Sequence, residues 1–388
     1  MKLTLIHWRN LVFLMGGSLT VMAGATIAPA LPQIYQACAD QPNADLLVRL
    51  ILTMPALMIG IVAPLMGYLL DRWGRKPVLA ACLLLYGLAG SSGFWLDSLI
   101  PILVGRALLG VAVAGIMSGF TALIGDTFDG VELSSFMGRQ SAFMSFGGVA
   151  FLLFGGVMAD IGWHWPFLIY LAAFPLLPLL WLMVQEPKAE QRKESVGANA
   201  AINYSRLGMV YFLAFLGMAM FYMIPVHLPF YLRALTQLSS SGIGAVMAYS
   251  ALITAITSAN FARLQARMSL GALHGLLYGV MAFGFAGLSV ANGLMMVVLS
   301  ITLVGFSFGL WIPAMQVWLL SLIPSRARGR AVGCFTMCFF LGQFFSPLLS
   351  QPIIHAQGIA AGYFSAGALL AVIGLVFLAH EKLRSRSA

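Results

Sequence analysis

The densest group of charged side chains lies in residues 67–76, GYLLDRWGRK, between two long apolar runs. The group contains one acid, three bases and two glycines: Asp71, Arg72, Arg75, Lys76, Gly67 and Gly74. The chemistry open to these charges is ion pairing, and Arg72 or Arg75 is predicted to pair with Asp126 or Asp129. Asp71 is predicted to accept hydrogen bonds at the amino terminus of a neighbouring helix, where the helix dipole favours an anion. The glycines are expected to permit a tight turn and close helix approach.

Arg106 is a single charge inside the apolar stretch LVGRALLG. At the helical rise it lies about 10 Å from the predicted outer surface. A charge at that depth is costly unless it faces a polar interior, so Arg106 is a functional candidate. The alternative is a structural role, in which the guanidinium extends outward to water or bonds to backbone carbonyl groups.

His227 lies between Pro225 and Pro229, where the seventh apolar run ends. A histidine there is suited to sensing pH, and the alternative is a ring that is simply solvated at the membrane interface. The twelve acids all fall in predicted loops or at predicted helix ends. The absence of a carboxylate at the predicted midplane favours neutral, weakly polar or anionic substrates over cations.

A few uncharged side chains within the apolar runs are candidates for contact with a ligand: Tyr222, Trp311, Gln316 and Gln343. Such groups either bond within a helix bundle or meet a substrate. The 22 methionines and 27 phenylalanines allow a soft, adaptable pocket. Most of them must instead face lipid or pack.

The elements that position these residues follow from composition. The mean hydropathy is +0.94, with 61% hydrophobic and 9% charged residues, which excludes a soluble domain. About 20 apolar residues form one bilayer-spanning helix. Twelve stretches qualify: 10–34, 48–70, 77–96, 99–124, 138–159, 164–184, 205–232, 239–262, 270–291, 294–322, 330–354 and 359–379.

The basic residues predict the topology. With both termini in the cytoplasm, 18 of the 21 lysines and arginines fall in inside segments, whereas Arg49 and Arg233 are assigned to outer loops and Arg106 to a helix. This asymmetry is the positive-inside rule. The net charge of +9 therefore reports membrane topology, and no nucleic-acid partner is expected.

The polar stretch after residue 184 divides the chain into two halves. The prediction is an amino-terminal six-helix bundle at 1–184, a cytoplasmic linker at 185–204 and a carboxyl-terminal six-helix bundle at 205–388. A basic segment, FARLQARMSLG at 261–271, repeats part of the 67–76 pattern in the second half. The halves are thus predicted to be weak internal repeats.

The spacing G-x-L-x-D-R-x-G-R-K at 67–76 resembles the loop between helices 2 and 3 of major facilitator superfamily transporters, and the resemblance extends over essentially the whole chain. It implies an all-α fold of twelve membrane helices in two pseudo-repeat bundles. It implies further that Gly67, Asp71, Arg72, Gly74, Arg75, Lys76 and Asp126 form a conformational latch. The segment around Arg106 resembles the helix 4 motif of the family, in which the arginine is linked to proton transfer.

The short loops, the chain length and the helix 1 ending PALP resemble the bacterial drug and small-molecule exporters, which are proton antiporters. In helix 5, however, Phe151 and Leu152 replace the Gly-Pro pair of the antiporter motif, which weakens the antiport prediction. The resemblance implies export across the bacterial inner membrane by alternating access, with protons as the coupling ion. The alternative is an importer or facilitator of a neutral or anionic metabolite or siderophore.

No ATP-binding loop, catalytic cluster or metal-ligand group is recognised in the sequence. We therefore expect a transporter and not an enzyme, without a cofactor or metal. Its partners are a small-molecule substrate, protons and the lipid bilayer. A monomer is expected because one chain contains both halves.

Overall fold

The computed structural model describes residues 2–184, 203–324 and 328–387. Within these ranges no β-strand occurs, and twelve helical segments are long and apolar enough to cross a membrane, which confirms the prediction. They are α1 (His7–Ala37), α2 (Ala44–Trp73), α3 (Arg75–Trp95), α4 (Leu99–Thr127), α5 (Ser135–Ile161), α6 (Trp165–Met183), α7 (Tyr204–Thr236), α8 (Ser240–Ala259), α9 (Leu270–Ser289), α10 (Leu294–Ser321), α11 (Gly329–Gln357) and α12 (Ile359–Leu383). Of the predicted linker, 185–204, only Asn203 and Tyr204 are among the described residues.

Several spans are interrupted or extended. The helix of α1 begins at Lys2 and ends at Ala25, and a 3₁₀ turn (Ala28–Ala30) and a short helix (Leu31–Ala37) complete the span. Two further spans are interrupted: α3 consists of the helices Arg75–Gly90 and Ser92–Trp95, and in α6 a 3₁₀ segment, Trp165–Ala173, precedes the helix Leu176–Met183. Three helices extend beyond their spans: that of α5 begins at Gly130, that of α11 begins at Arg328 and that of α12 ends at Ser387. A five-residue helix, Phe261–Gln265, lies between α8 and α9.

The break in α7 has an identifiable cause. The span consists of Tyr204–Phe221 and Met223–Thr236, and Tyr222 separates the two helices. Pro225 has no N–H to donate to the carbonyl of Phe221 one turn earlier, so the hydrogen-bond ladder is interrupted. Pro225 therefore accounts for the division of α7 into two helices.

The first compact unit consists of the described residues up to 184 together with Ser239–Ala248, the first half of α8. In this unit α4 packs along α2, α3 and α1, and α1 also packs along α5. Arg49 was assigned to an outer loop, and that prediction is wrong. It lies in the second turn of α2, where it is buried and paired with Asp45.

The second unit consists of the described residues 203–238 and 249–387. In it α9 packs along α12 and α10, and α7 packs along α11. Aromatic rings form much of the core: Phe221 stacks on Phe308, and Trp311 lies against Phe308 and Tyr278. Because these rings are fixed by neighbours within the unit, they position α7 and α10 relative to α9.

Candidate functional site

A single residue, Gly74, makes the turn between α2 and α3. Its φ of 89° and ψ of 155° place it in a region that side-chain-bearing residues rarely adopt, so glycine is required here. The predicted tight turn is therefore present. No close helix approach is seen at Gly67: no atom of the described residues lies within 4 Å of the position that a Cβ would occupy there.

Arg75 is the centre of the charged cluster. Its Nε donates to Oδ2 of Asp126 on α4 at 3.1 Å, and its guanidinium lies 3.8 Å from the carboxylate of Asp71. The pairing with Asp126 is as predicted. Since the Arg75 and Asp126 side chains are 22% and 32% exposed, we take this ion pair to contribute up to about 1 kcal/mol. Arg75 thus connects the end of α4 with the α2–α3 turn.

The other charges of the cluster have partners of their own. Asp71 is 79% exposed, and its recorded partner is Arg75 rather than the amino terminus of a helix. Arg72 donates to the hydroxyl of Tyr68 on its own helix at 2.9 Å, not to Asp126 or Asp129. Lys76 donates to the carbonyl of Trp181 on α6 at 3.2 Å and lies 5.0 Å from the centre of its ring.

Arg106 is completely buried inside the first unit and connects three other helices to α4. Its Nε donates to the carbonyl of Ile51 on α2 at 2.9 Å, its Nη1 donates to the hydroxyl of Tyr170 on α6 at 2.8 Å, and its Nη2 donates to the carbonyl of Ala23 on α1. All three of these acceptors are neutral. These surroundings match the structural alternative, in which the arginine bonds to backbone carbonyl groups.

The two carbonyl groups are available for local reasons. Pro55 follows Ile51 by one turn and has no N–H, so the Ile51 carbonyl has no partner in its own helix. Ala23 lies in the last turn of the α1 helix, where carbonyl groups also lack partners. Tyr170 donates to the Ala23 carbonyl as well, at 3.2 Å. Arg106 therefore supplies donors where α1 and α2 lack them.

Tyr170 and Tyr86 are the residues of this network that the sequence analysis missed. Tyr86 donates to the carbonyl of Leu19 at 2.7 Å, and its ring lies 5.7 Å from that of Tyr170. Both rings are completely buried. The available signal was a tyrosine hydroxyl within an apolar run, since such a group needs an internal acceptor.

His227 is completely buried in the second unit, so the interpretation as a solvated interfacial ring is wrong. Its Nε2 lies 2.7 Å from the hydroxyl of Ser350 on α11. The Ser350 hydroxyl in turn bonds to the carbonyl of Ser346 at 2.8 Å, and the Ser346 hydroxyl donates to the carbonyl of Ala219 at 2.6 Å. This chain of polar groups joins the two halves of α7 to α11.

A cavity of about 390 Å³ lies between α10 and α11 in the second unit. Gln316 and Thr336 contribute its polar groups, and Phe335, Phe339 and Phe340 line it together with aliphatic side chains. Among the residues that the structure describes, no charged side chain lines the cavity. A volume of this size is within the usual range for small-molecule sites.

The predicted substrate residues separate into two groups. Gln316 is exposed and lines the cavity, whereas Gln343 is half-buried elsewhere on α11. Tyr222 is buried at the break of α7, and Trp311 is completely buried against Phe308 and Tyr278. The placement of Trp311 corresponds to packing and does not support contact with a substrate.

The described carboxylates lie in loops or close to helix ends, as predicted. Asp45 is in the first turn of α2, Glu132 is in the first turn of the α5 helix, and Asp126 and Asp160 are in the last turns of α4 and α5. In the part of the chain that the structure describes, no group of three His, Cys, Asp or Glu side chains is arranged to hold a metal ion.

Comparison with known proteins agrees with this architecture. A sequence model of the Major Facilitator Superfamily matches residues 13–347 and, in a second match, residues 210–386. This chain belongs to the Major Facilitator Superfamily. This superfamily protein is 27% identical over 348 residues to the class C tetracycline resistance protein of Escherichia coli, covering 85% of this chain and 86% of the relative. It is 30% identical over 167 residues to the bacillibactin exporter of Bacillus subtilis (strain 168), covering 41% of each chain.

Solved structures show the same major facilitator fold. The crystal structure of a D-xylose-proton symporter has a TM-score of 0.78 to this chain, with 17% identity, 96% of this chain and 97% of that chain covered. The chain is accordingly a multi-pass membrane protein of a transporter superfamily. Both the family resemblance and the twelve-helix fold predicted from the sequence are confirmed.

Proposed function

We propose that this major facilitator protein exports drug-like or metabolite molecules across the bacterial inner membrane by alternating access, coupled to protons. The named functions of the two relatives support export, one being a resistance protein for tetracycline and the other an exporter. In this proposal the protein works as a monomer with both termini in the cytoplasm. The distribution of its basic residues supports that orientation.

The observation that carries the substrate class is the cavity between α10 and α11. Three phenylalanines line it, Gln316 and Thr336 are its polar groups, and none of its described lining residues is charged. An apolar pocket with a few polar groups selects molecules with an aromatic or aliphatic body and one or two hydrogen-bonding positions. We assign Gln316 the substrate contact, with Gln343 and Tyr222 as further predicted contacts.

The 67–76 cluster, with Asp126, is the proposed conformational latch of the first unit. The contacts of Arg75 with Asp126 and Asp71 support this role, because they are exposed enough to break and re-form. Gly74 supports it by fixing the turn that presents the charges. A role of Gly67 in the latch is supported only by the family resemblance.

Arg106 and His227 are the proposed coupling residues. For Arg106 the contacts support an indirect role, in which it holds α1, α2 and α6 on α4. His227 is a titratable ring in the second helix of α7, and its bond to Ser350 would transmit a change of protonation to α11.

The test uses purified protein in liposomes that contain a pH-sensitive dye. A pH gradient is imposed, and tetracycline, a lipophilic cation, a sugar and an anionic siderophore are added in separate experiments. We expect proton movement opposite to substrate movement for an apolar molecule that is uncharged or weakly polar. Proton movement in the same direction indicates the importer alternative. Saturable uptake without proton movement indicates a facilitator.

The substrate contact is tested in the same liposomes with Gln316→Ala. Removing one hydrogen bond is expected to raise the half-saturating concentration about fivefold. Gln265→Ala is the matched control, because Gln265 lies outside the cavity in the short helix before α9. Equal transport by both variants and the wild type would remove Gln316 from the substrate site.

A further inference from the structure

The amino terminus of α8 donates hydrogen bonds to a side chain on a different helix. The backbone N–H groups of Ser240 and Ser241 donate to the two carboxylate oxygens of Asp160, at 2.8 and 3.1 Å. Asp160 is in the last turn of α5. The next N–H, that of Gly242, donates to the Ser239 hydroxyl at 3.2 Å. The free N–H groups of the first turn thus have partners, two of them supplied by Asp160.

The contact is reinforced by backbone packing below the carboxylate. A Cβ on Gly156 of α5 would lie 2.6 Å from the carbonyl oxygen of Ser240, and a Cβ on Gly244 of α8 would lie 2.6 Å from that of Leu152. Glycine is required at both positions because the two helix backbones touch.

The position of Asp160 makes the contact reversible. Asp160 is exposed, so water replaces the two N–H groups at little cost when the helices part. The helix dipole and the negative charge still favour the bound state. In the α8 helix, residues up to Ala248 belong to the first compact unit and those from Tyr249 onward to the second. A contact at its amino terminus therefore acts on a helix whose two ends belong to different units.

We propose that Asp160 is a positioning residue of the transport cycle, which clamps the amino terminus of α8 on α5 at the end of the bundle predicted to face outward. The clamp holds that end closed and releases when the substrate path opens there. This inference rests on alternating access and is independent of the substrate and of proton coupling.

The test measures the accessibility of α8 with a membrane-impermeant maleimide. The reporter is Ile243→Cys, in a chain whose four native cysteines are replaced by serine. Ile243 is 1% exposed and lies about one turn beyond Ser240. Labelling is measured on intact cells and on inverted vesicles, so the result does not depend on the predicted orientation. The variants are Asp160→Asn, which loses the charge, and Asp160→Ala, which also loses the acceptors.

We expect either variant to raise the labelling rate of the reporter about two- to fivefold, the size expected when an exposed anion is lost from a helix amino terminus. Asp40→Asn is the matched control, because Asp40 is also an exposed acid at the predicted outer end, and it is expected to change nothing. The rate is followed over a range of pH. If the substitution acts only through the electrostatic field at the thiol, the pH at which labelling accelerates changes but the maximum rate at high pH does not. If the helix pair opens, the maximum labelling rate at high pH increases.

A second reporter separates a clamp from general loosening of the first unit. Cys82 on α3, kept as the single cysteine, is 6% exposed and lies in the same unit. We expect its labelling to be unchanged in Asp160→Asn. The proposal is overturned if labelling of the Ile243→Cys reporter is also unchanged. It is equally overturned if both reporters become accessible together, since Asp160 would then only stabilise the fold.

Discussion

Replacement of Arg106 by alanine tests whether this buried charge stabilises the first unit. The substitution removes three hydrogen bonds, to the Ile51 carbonyl, the Tyr170 hydroxyl and the Ala23 carbonyl. Bonds to a charged donor contribute about 2 kcal/mol each. Removing a charge from the centre of a membrane helix is itself favourable, and stabilises the protein by about 3 kcal/mol. The expected net loss is therefore about 3 kcal/mol, which corresponds to a fall of about 6–12 °C in the melting temperature of a unit of this size.

The assay is thermal unfolding of the purified protein in detergent, followed with a thiol-reactive dye that reports exposure of buried cysteines such as Cys82. Tyr170→Phe retains the arginine but removes a hydroxyl that bonds to both Arg106 and Ala23, so a fall of about half the size is expected. Arg106→Lys should recover less than half of the loss, because an ammonium cannot span three acceptors as a guanidinium does.

Arg139→Ala is the control, since that arginine is exposed and its contact is with the face of the Phe136 ring rather than with a set of buried carbonyl groups. Its melting temperature should match that of the wild type. If Arg106→Ala melts within 2 °C of the wild type, roughly 1 kcal/mol or less, the guanidinium has no net stabilising role and the reasoning fails. If stability is retained while proton-driven transport is lost, Arg106 belongs to the proton pathway as the family resemblance implies.

Three further outcomes follow from particular contacts. In a double-mutant cycle, Arg75→Ala and Asp126→Asn should each lower the free energy of unfolding by no more than about 1 kcal/mol. The two losses should not be additive in the double variant, because both substitutions break the same partly exposed ion pair. Additive losses would show that the pair is not formed. Gly217→Ala should lower the melting temperature by several degrees, because the new methyl group would overlap the indole on α10, and an unchanged melting temperature would contradict that packing. Burial, and secondarily the negative charge of Asp97, raises the pKa of the Cys38 thiol. Asp97→Asn should therefore lower that pKa and increase maleimide labelling of Cys38 at a fixed pH near 8, and labelling that stays the same would mean that burial alone sets it.

Much of the fold was predictable because membrane spans are encoded locally. A helix in lipid must satisfy its backbone within about 20 apolar residues, so length and composition identify each span without knowledge of its neighbours. The turn at Gly74 was predictable for a similar reason, since two glycines and four charges in ten residues cannot lie inside the bilayer. The pairing of Arg75 with Asp126 followed from opposite charges on the same predicted side of the membrane.

The candidate site was predictable only as a set of residue types. The sequence marks Arg106 as a charge at depth, but its role depends on which acceptors face it. Those acceptors come from Ala23, Ile51 and Tyr170, on three other helices. The missing N–H of Pro55 was visible in the sequence, yet nothing local links it to an arginine 51 positions later. Likewise, burial of His227 depends on the packing of α7 against α11.

By itself, then, the sequence determined the number of spans, the family and the composition of the charged turn, because each rests on residues close together in the chain. The tertiary structure decided which polar groups are satisfied and by what. It bonds Arg106 to neutral carbonyl groups, buries Trp311 in packing and brings Asp160 onto the first turn of α8. Hydrogen bonds between helices join residues far apart in sequence, and only the packing of helix faces decides which of them meet.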